Sequence, residues 1–77
     1  MRATEVIKEA AHKKGLPTTH IGPMIGKGAN YFSAIDSRGS TPKADTLAAM
    51  LKPCGYKLAA IPEDELPESA LVIDPAE

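Results

Sequence analysis

Residues 21–39 read IGPMIGKGANYFSAIDSRG, and their apolar side chains do not fit one continuous helix. Ile21 and Ile25 are four residues apart and share one helical face, whereas Phe32 and Ile35 are three apart and share another. The Gly-Lys-Gly sequence between the two pairs opposes a continuous helix, because glycine tolerates a positive φ that other residues avoid. The pattern therefore predicts two short helices joined by a tight turn.

The second of these helices has a small, polar outer face. Phe32 and Ile35 hold its inner face, and successive residues turn by about 100° around the helix axis. The side chains on the opposite side are then those of Asn30, Ser33, Ala34 and Ser37. Such a surface is nearly uncharged and suits close approach, which is the layout of a helix-turn-helix that reads DNA.

The spacing resembles that of the Cro/repressor-type (XRE-like) helix-turn-helix regulators. Their motif has an aliphatic residue, a small residue, a turn glycine and two buried apolar residues, which correspond here to Ile21, Gly22, Gly26, Phe32 and Ile35. The family's acidic residue, glycine and proline after the recognition helix correspond to Asp36, Gly39 and Pro42. The resemblance covers residues 6–56, and it implies a four-helix DNA-binding domain in a family where dimers are usual.

The sequence departs from the family pattern at three positions. Pro23 lies inside the expected second helix, where it removes a backbone donor and crowds the carbonyl of Thr19. Lys27 replaces a usual aliphatic residue after the turn glycine, and Gly39 comes one residue later than the commonest spacing.

Length and composition indicate one small soluble domain. The chain has 77 residues, no apolar run long enough to span a membrane, and no signal-peptide core at its N-terminus. Its single cysteine, Cys54, excludes an internal disulfide and favours a reducing, cytoplasmic location.

The charges are divided unequally along the chain. Residues 1–57 contain all nine Lys and Arg and only four of the Asp and Glu, which gives a net charge of +5. Residues 58–77 contain the other six acidic residues, a net charge of −6. A basic N-terminal region followed by an acidic C-terminal region is typical of a DNA-binding module that carries a second element. Acidic loops are also common in small proteins, where they serve only to keep the protein soluble.

The flanking sequence predicts two further helices. Residues 1–14 carry an apolar stripe at helical spacing, and the second helix opens at residues 17–19. The third helix is expected from about Gly28 to Ser37, and the fourth starts with Thr41 as its cap and Pro42 as its first residue. The residues expected to face inward from the first and fourth helices are Ala3, Val6, Ile7, Ala10, Ala11, Ala44, Leu47, Ala48, Leu51 and Cys54.

The last third of the chain has a different pattern. Residues 57–61 and 70–74 are two short strand-like runs, and Pro62 and Pro67 bracket a charged loop between them. The expected fold is therefore mainly α: a four-helix Cro/repressor-like domain over residues 1–56, with a short C-terminal β-hairpin and acidic tail over residues 57–77. Because an isolated hairpin is marginally stable, it either covers the helices or pairs with a second copy.

The leading hypothesis is a DNA-binding transcriptional regulator that reads a palindromic operator as a homodimer. Asn30 is expected either to pair with adenine or to cap the third helix. The resemblance implies that Thr18 or Thr19 holds a phosphate. The remaining residues of the expected DNA surface are Lys27, Tyr31, Arg38 and Lys43 on phosphates, Ser33, Ala34 and Ser37 on bases, and Gly28 and Ala29 at the expected start of the third helix.

The sequence leaves two alternatives to DNA binding. A protein-interaction module that kept the fold and lost DNA binding is favoured slightly by Pro23 and by the modest basicity. An enzyme is the weakest reading, because His12, His20 and Cys54 form no recognisable catalytic or metal set with the carboxylates. We expect no cofactor and no metal, and the sequence indicates no partner toxin.

Overall fold

The computed structural model describes residues 1–75, which contain four α-helices and no β-strand. The first helix, α1, spans Ala3–Lys14. The backbone N–H of Arg2 donates a 2.7 Å hydrogen bond to the carboxylate of Glu5, which fixes the start of α1. The predicted inner stripe of α1 is confirmed, and Thr4 is buried beside it.

The predicted second helix is divided into two pieces. A 3-10 turn, Thr18–His20, leads into a four-residue α-helix, α2, Ile21–Met24. Pro23 accounts for this division, because it has no N–H to donate to the Thr19 carbonyl and its ring crowds the preceding turn. The N–H of Gly26 then closes α2 with a 3.2 Å hydrogen bond to the Pro23 carbonyl, three residues back.

The third helix, α3, spans Tyr31–Ser37 and starts later than the predicted Gly28. The N–H of Tyr31 donates a 3.1 Å hydrogen bond to the Gly28 carbonyl, so residues 28–30 form a turn rather than a helix. Asn30 occupies the N-cap position with φ −92° and ψ 5°, and its side chain makes no capping hydrogen bond. The side-chain cap that was one expectation for Asn30 is therefore not formed, because a capping residue needs extended backbone.

The fourth helix, α4, spans Ala44–Leu51 and is followed by a 3-10 turn, Lys52–Cys54. The predicted start at Thr41 and Pro42 is wrong. Lys43 is the N-cap residue and has an extended ψ of 155°, so the loop continues past Pro42. No helix in residues 1–75 has the length and apolar character that crossing a membrane requires.

The core lies between these helices, with α1 against α4 and α3 against α2 and the 3-10 turn before it. Of the expected core residues, Ile25 and Ala48 are half-buried and Ala44 is exposed. Met50, which the predicted face of α4 omitted, is fully buried. The buried apolar residues are Ala3, Val6, Ile7, Ala10, Ala11, Ile21, Phe32, Ile35, Leu47, Met50, Leu51 and Cys54.

The predicted C-terminal β-hairpin is wrong for the part of the chain that the structure describes. Residues 57–75 contain one short 3-10 turn, Glu63–Glu65, and no strand. The two apolar runs make no backbone hydrogen bonds to each other, and Tyr56 and Leu71 pack against the core instead. Two strands alone gain little from pairing, whereas Tyr56 and Leu71 gain contact with the helices. Glu77, part of the expected acidic tail, lies outside the described residues.

Candidate nucleic-acid interface

The rotation of α3 about its axis is fixed by its inner face. Phe32 and Ile35 are 3% and 6% exposed and lie in the core. Ser33 and Ser37 are exposed on the outer side, and Ala34 is half-buried. The predicted division of this helix into an apolar and a small polar face is therefore present, although the helix is shorter than expected.

Gly22 sets how closely α2 approaches the turn before α3. A Cβ atom at this position would lie 2.0 Å from the carbonyl oxygen of Gly28 and 3.0 Å from the Cβ of Tyr31. The Gly22 carbonyl also accepts a 2.7 Å hydrogen bond from the N–H of Lys27. The sequence identified Gly22 only as the small residue of the motif, but the structure shows that a side chain there has no room.

The turn between α2 and α3 carries an exposed positive charge. Gly26 has a φ of +78°, a conformation in which other residues are strained, and it directs the chain into the turn. The ammonium of Lys27 lies 5.8 Å from the centroid of the Tyr31 ring, within the range of a cation–π interaction. This contact holds the Lys27 charge beside the first residue of α3.

Two polar side chains lie where α3 begins. The hydroxyl of Ser33 donates a 3.1 Å hydrogen bond to the backbone carbonyl of Asn30. That bond uses the Ser33 proton locally and leaves the hydroxyl oxygen as an acceptor. The Asn30 side chain is exposed and does not cap the helix, so its amide is accessible to a ligand.

An ion pair joins α3 to α1. The ammonium of Lys8 lies 2.8 Å from the carboxylate of Asp36, and both side chains are partly exposed. The hydrogen bond from Lys8 holds the pKa of Asp36 below its ordinary value of 3.8, and the hydroxyl of Thr4 adds to the effect. This pairing is not predictable from the sequence, because Lys8 and Asp36 are far apart in the chain.

This ion pair should make stability depend on pH. Because the Asp36 pKa is lower in the folded chain, the pair stabilises the fold above pH 3.8, and this contribution is lost as the pH falls through the folded pKa. We expect Asp36→Asn to lower the free energy of unfolding at neutral pH and to approach the unchanged chain in acid. Urea unfolding across pH tests this, with Glu68→Gln, at an exposed residue outside the helices, as the control. A constant difference down to acid pH would contradict it.

The other predicted contact residues lie on several elements. Thr18 and Thr19 belong to the 3-10 turn that packs against α3, and neither side chain caps that turn. Arg38 is the exposed C-cap of α3, whereas Lys43 lies after the loop at the N-cap of α4. The structure thus brings residues 18–19 and 27–38 together and leaves Lys43 on a separate element.

The histidines and the cysteine do not form a cluster in residues 1–75. His12 and His20 are exposed, and no group of three potential metal ligands was found in that part of the chain. The Cys54 thiol is buried and donates a 3.6 Å hydrogen bond to the Met50 carbonyl. Burial raises the pKa of Cys54, because it disfavours the charged thiolate.

Comparison with known proteins does not extend this description. No protein-family model matches the chain, and no curated protein or solved structure matches it significantly.

Proposed function

We propose that the chain binds double-stranded DNA in a sequence-specific manner, with α3 in the major groove, as a transcriptional regulator. The observation that supports this proposal is the outer face of α3. Its polar side chains, Asn30, Ser33 and Ser37, are exposed and Ala34 between them is half-buried. Phe32 and Ile35 fix the helix from the other side. A helix held in this way can enter a groove without losing its contacts to the core.

The site residues would divide into two groups. Asn30 would read a base edge through its amide, and Ser33, Ala34 and Ser37 would make short polar or methyl contacts to bases. The second group would hold phosphates and set the register, with side chains or backbone N–H groups. Its members are Thr18, Thr19, Lys27, Gly28, Ala29, Tyr31, Arg38 and Lys43.

Charge supports the same surface. Residues 1–57 carry a net charge of +5. Within the described chain, Lys27 and Arg38 form no ion pair, so both charges are available to a polyanion. Neutralising phosphates releases counterions, which supplies much of the affinity for DNA.

The proposed assembly on DNA is a homodimer on a palindromic site. The seven residues of α3 span only about 10 Å, which covers one short half-site. Two copies on half-sites about 10 base pairs apart would double the sequence that is read. Because residues 57–75 form no hairpin, pairing of two hairpins is not part of this proposal. Sedimentation with a palindromic duplex should show two copies per duplex, and one copy would contradict the assembly.

Titration of the isotope-labelled chain with a duplex tests the proposed surface directly. We expect the largest amide shifts within residues 18–19 and 27–38, and small shifts in α1 and residues 57–75. If no duplex bound, or if the shifts were confined to another element, the result would favour the protein-interaction module instead.

Lys27→Ala should weaken binding to all duplexes by a similar factor. The ammonium contributes charge without base information, so its loss should reduce the slope of log K against log salt by about one unit. The matched control is Lys52→Ala, in the 3-10 turn that packs on α1 and α4. An equal change of slope for both variants would mean that Lys27 has no special position at the DNA.

Asn30→Ala should reduce the preference for one DNA sequence over others, because the Asn30 side chain carries no charge. We expect a loss of about 1–3 kcal/mol at the preferred site and relaxed preference at one base pair. The salt slope should change little, and stability should be unaffected, because the Asn30 side chain does not cap α3. Equal losses of affinity for preferred and random duplexes would mean that Asn30 does not read a base.

A further inference from the structure

A cleft of about 510 Å³ lies within the C-terminal segment, residues 56–75, and reaches the helices at its base. Val6 of α1 and Leu51 of α4 contribute to its lining, and both belong to the core. The rest of the lining comes from residues 56–61, 66–67 and 69–73. This surface, the C-terminal cleft, is formed by different residues from those of the proposed DNA surface.

The walls of the C-terminal cleft expose apolar side chains and unpaired backbone. Five of the seven large apolar residues exposed in the described chain lie here: Leu58, Ile61, Leu66, Val72 and Ile73, each 37–45% exposed. Within the described part of the chain, residues 57–61 make no backbone hydrogen bond to any other backbone group. An extended peptide can satisfy such groups by lying alongside them, while its side chains enter an apolar groove.

Acidic residues flank the lining of the cleft along the chain, and we refer to them as its rim. The Glu63–Glu65 turn lies between the lining residues Ile61 and Leu66, and Glu68 lies between two further lining residues. Residues 58–75 contain no Lys or Arg, and Lys57 is the one basic residue in the lining. The same segment of a second copy would place like charges against these carboxylates, which is unfavourable. A basic segment would instead complement the charge of the rim.

We propose that the C-terminal cleft binds an extended segment of a partner protein in which apolar side chains alternate with Lys or Arg. The apolar side chains occupy the cleft above Val6 and Leu51. The basic side chains meet Glu63, Glu65 and Glu68 at the rim. The proposal goes beyond DNA binding and does not depend on it.

Three synthetic peptides of about ten residues, the upper length of an ordinary strand, serve as probes with the full chain. One alternates Leu and Lys, one Leu and Glu, and one Ser and Lys. The Leu/Lys peptide should bind about tenfold more tightly than the other two, because each of those lacks either the charge or the apolar groups. Its binding should shift the amides of residues 57–61 and 70–73.

Charge variants separate the rim from general attraction to an acidic protein. E63Q/E65Q should weaken binding of the Leu/Lys peptide about threefold to tenfold, the range expected for two exposed charge pairs. The matched control, E9Q/D45N, removes two carboxylates outside the cleft and should leave binding unchanged. Ile61→Ser, at a side chain 45% exposed, should abolish binding while the chain stays folded.

Three results would overturn the proposal: equal binding of the Leu/Glu peptide, equal effects of the two double variants, or shifts confined to the helices. Self-association through residues 57–73 in the absence of peptide would also overturn it, because the occupant would then be a second copy. None of these measurements involves duplex DNA. If the peptide proposal fails, the proposed DNA-binding function can therefore still be tested by itself.

Discussion

Replacing Phe32 by Ala should lower the free energy of unfolding by about 3–5 kcal/mol. Phe32 is 3% exposed and joins α3 to the core, so the truncation leaves a cavity that the neighbouring helices fill only in part. A chain of this size is stable by roughly 4–12 kcal/mol, so this loss is a large share of the total. Urea unfolding followed by circular dichroism measures the change.

Two variants control the Phe32 result. Ser33→Ala changes the exposed neighbouring residue and should cost about 0.5 kcal/mol or less. Phe32→Leu keeps most of the volume and should cost less than about 1.5 kcal/mol, which gives a measurable value even where the Ala variant is largely unfolded. A cost below about 1 kcal/mol for Phe32→Ala would mean that α3 is not anchored by this side chain.

Gly22→Ala should have the second large effect, although it adds only a methyl group. The new Cβ would lie 2.0 Å from the Gly28 carbonyl oxygen, so the backbone of the turn has to move. Overpacking of this kind costs about 1–3 kcal/mol. The displaced turn carries Lys27 and precedes α3, so DNA binding should weaken with stability. Unfolding and duplex binding of the same preparation measure the two effects.

Gly28→Ala is the matched control for Gly22→Ala. A Cβ on Gly28 would meet no atom within 4 Å, and Gly28 does not have a positive φ. This variant should leave stability unchanged or raise it by about 0.4–1 kcal/mol through a less flexible unfolded chain. If the two glycine variants were equally stable, the close approach of α2 to the turn would not constrain the fold.

Periodicity was sufficient to predict the inner faces of α1 and α3. Val6 and Ala10 in α1 are four residues apart, Phe32 and Ile35 in α3 are three apart, and all four are buried because each helix buries one stripe. The same rule applied one step further would have included Met50, which follows Leu47 by three residues. The outer face of α3 followed from these inner residues, so most of the candidate site was predictable.

Helix ends and the C-terminal segment were not predictable in the same way. The starts of α3 and α4 depend on the backbone of Asn30 and Lys43, which the side-chain pattern does not determine. Residues 57–61 and 70–74 have strand-like composition, but composition does not show whether their backbone groups find partners. The pairing of Lys8 with Asp36 depends on how α1 packs against α3, which needs the folded chain.

Competition between preferred and random duplexes tests the central proposal most directly. The full chain would first select duplexes from a random library, and its affinity for the recovered sequence would then be compared with that for a scrambled duplex at physiological salt. The proposal predicts that the recovered duplex binds about a thousandfold more tightly, or better, as specific sites do. Recovery of no common sequence, with equal affinity for both duplexes, would contradict it.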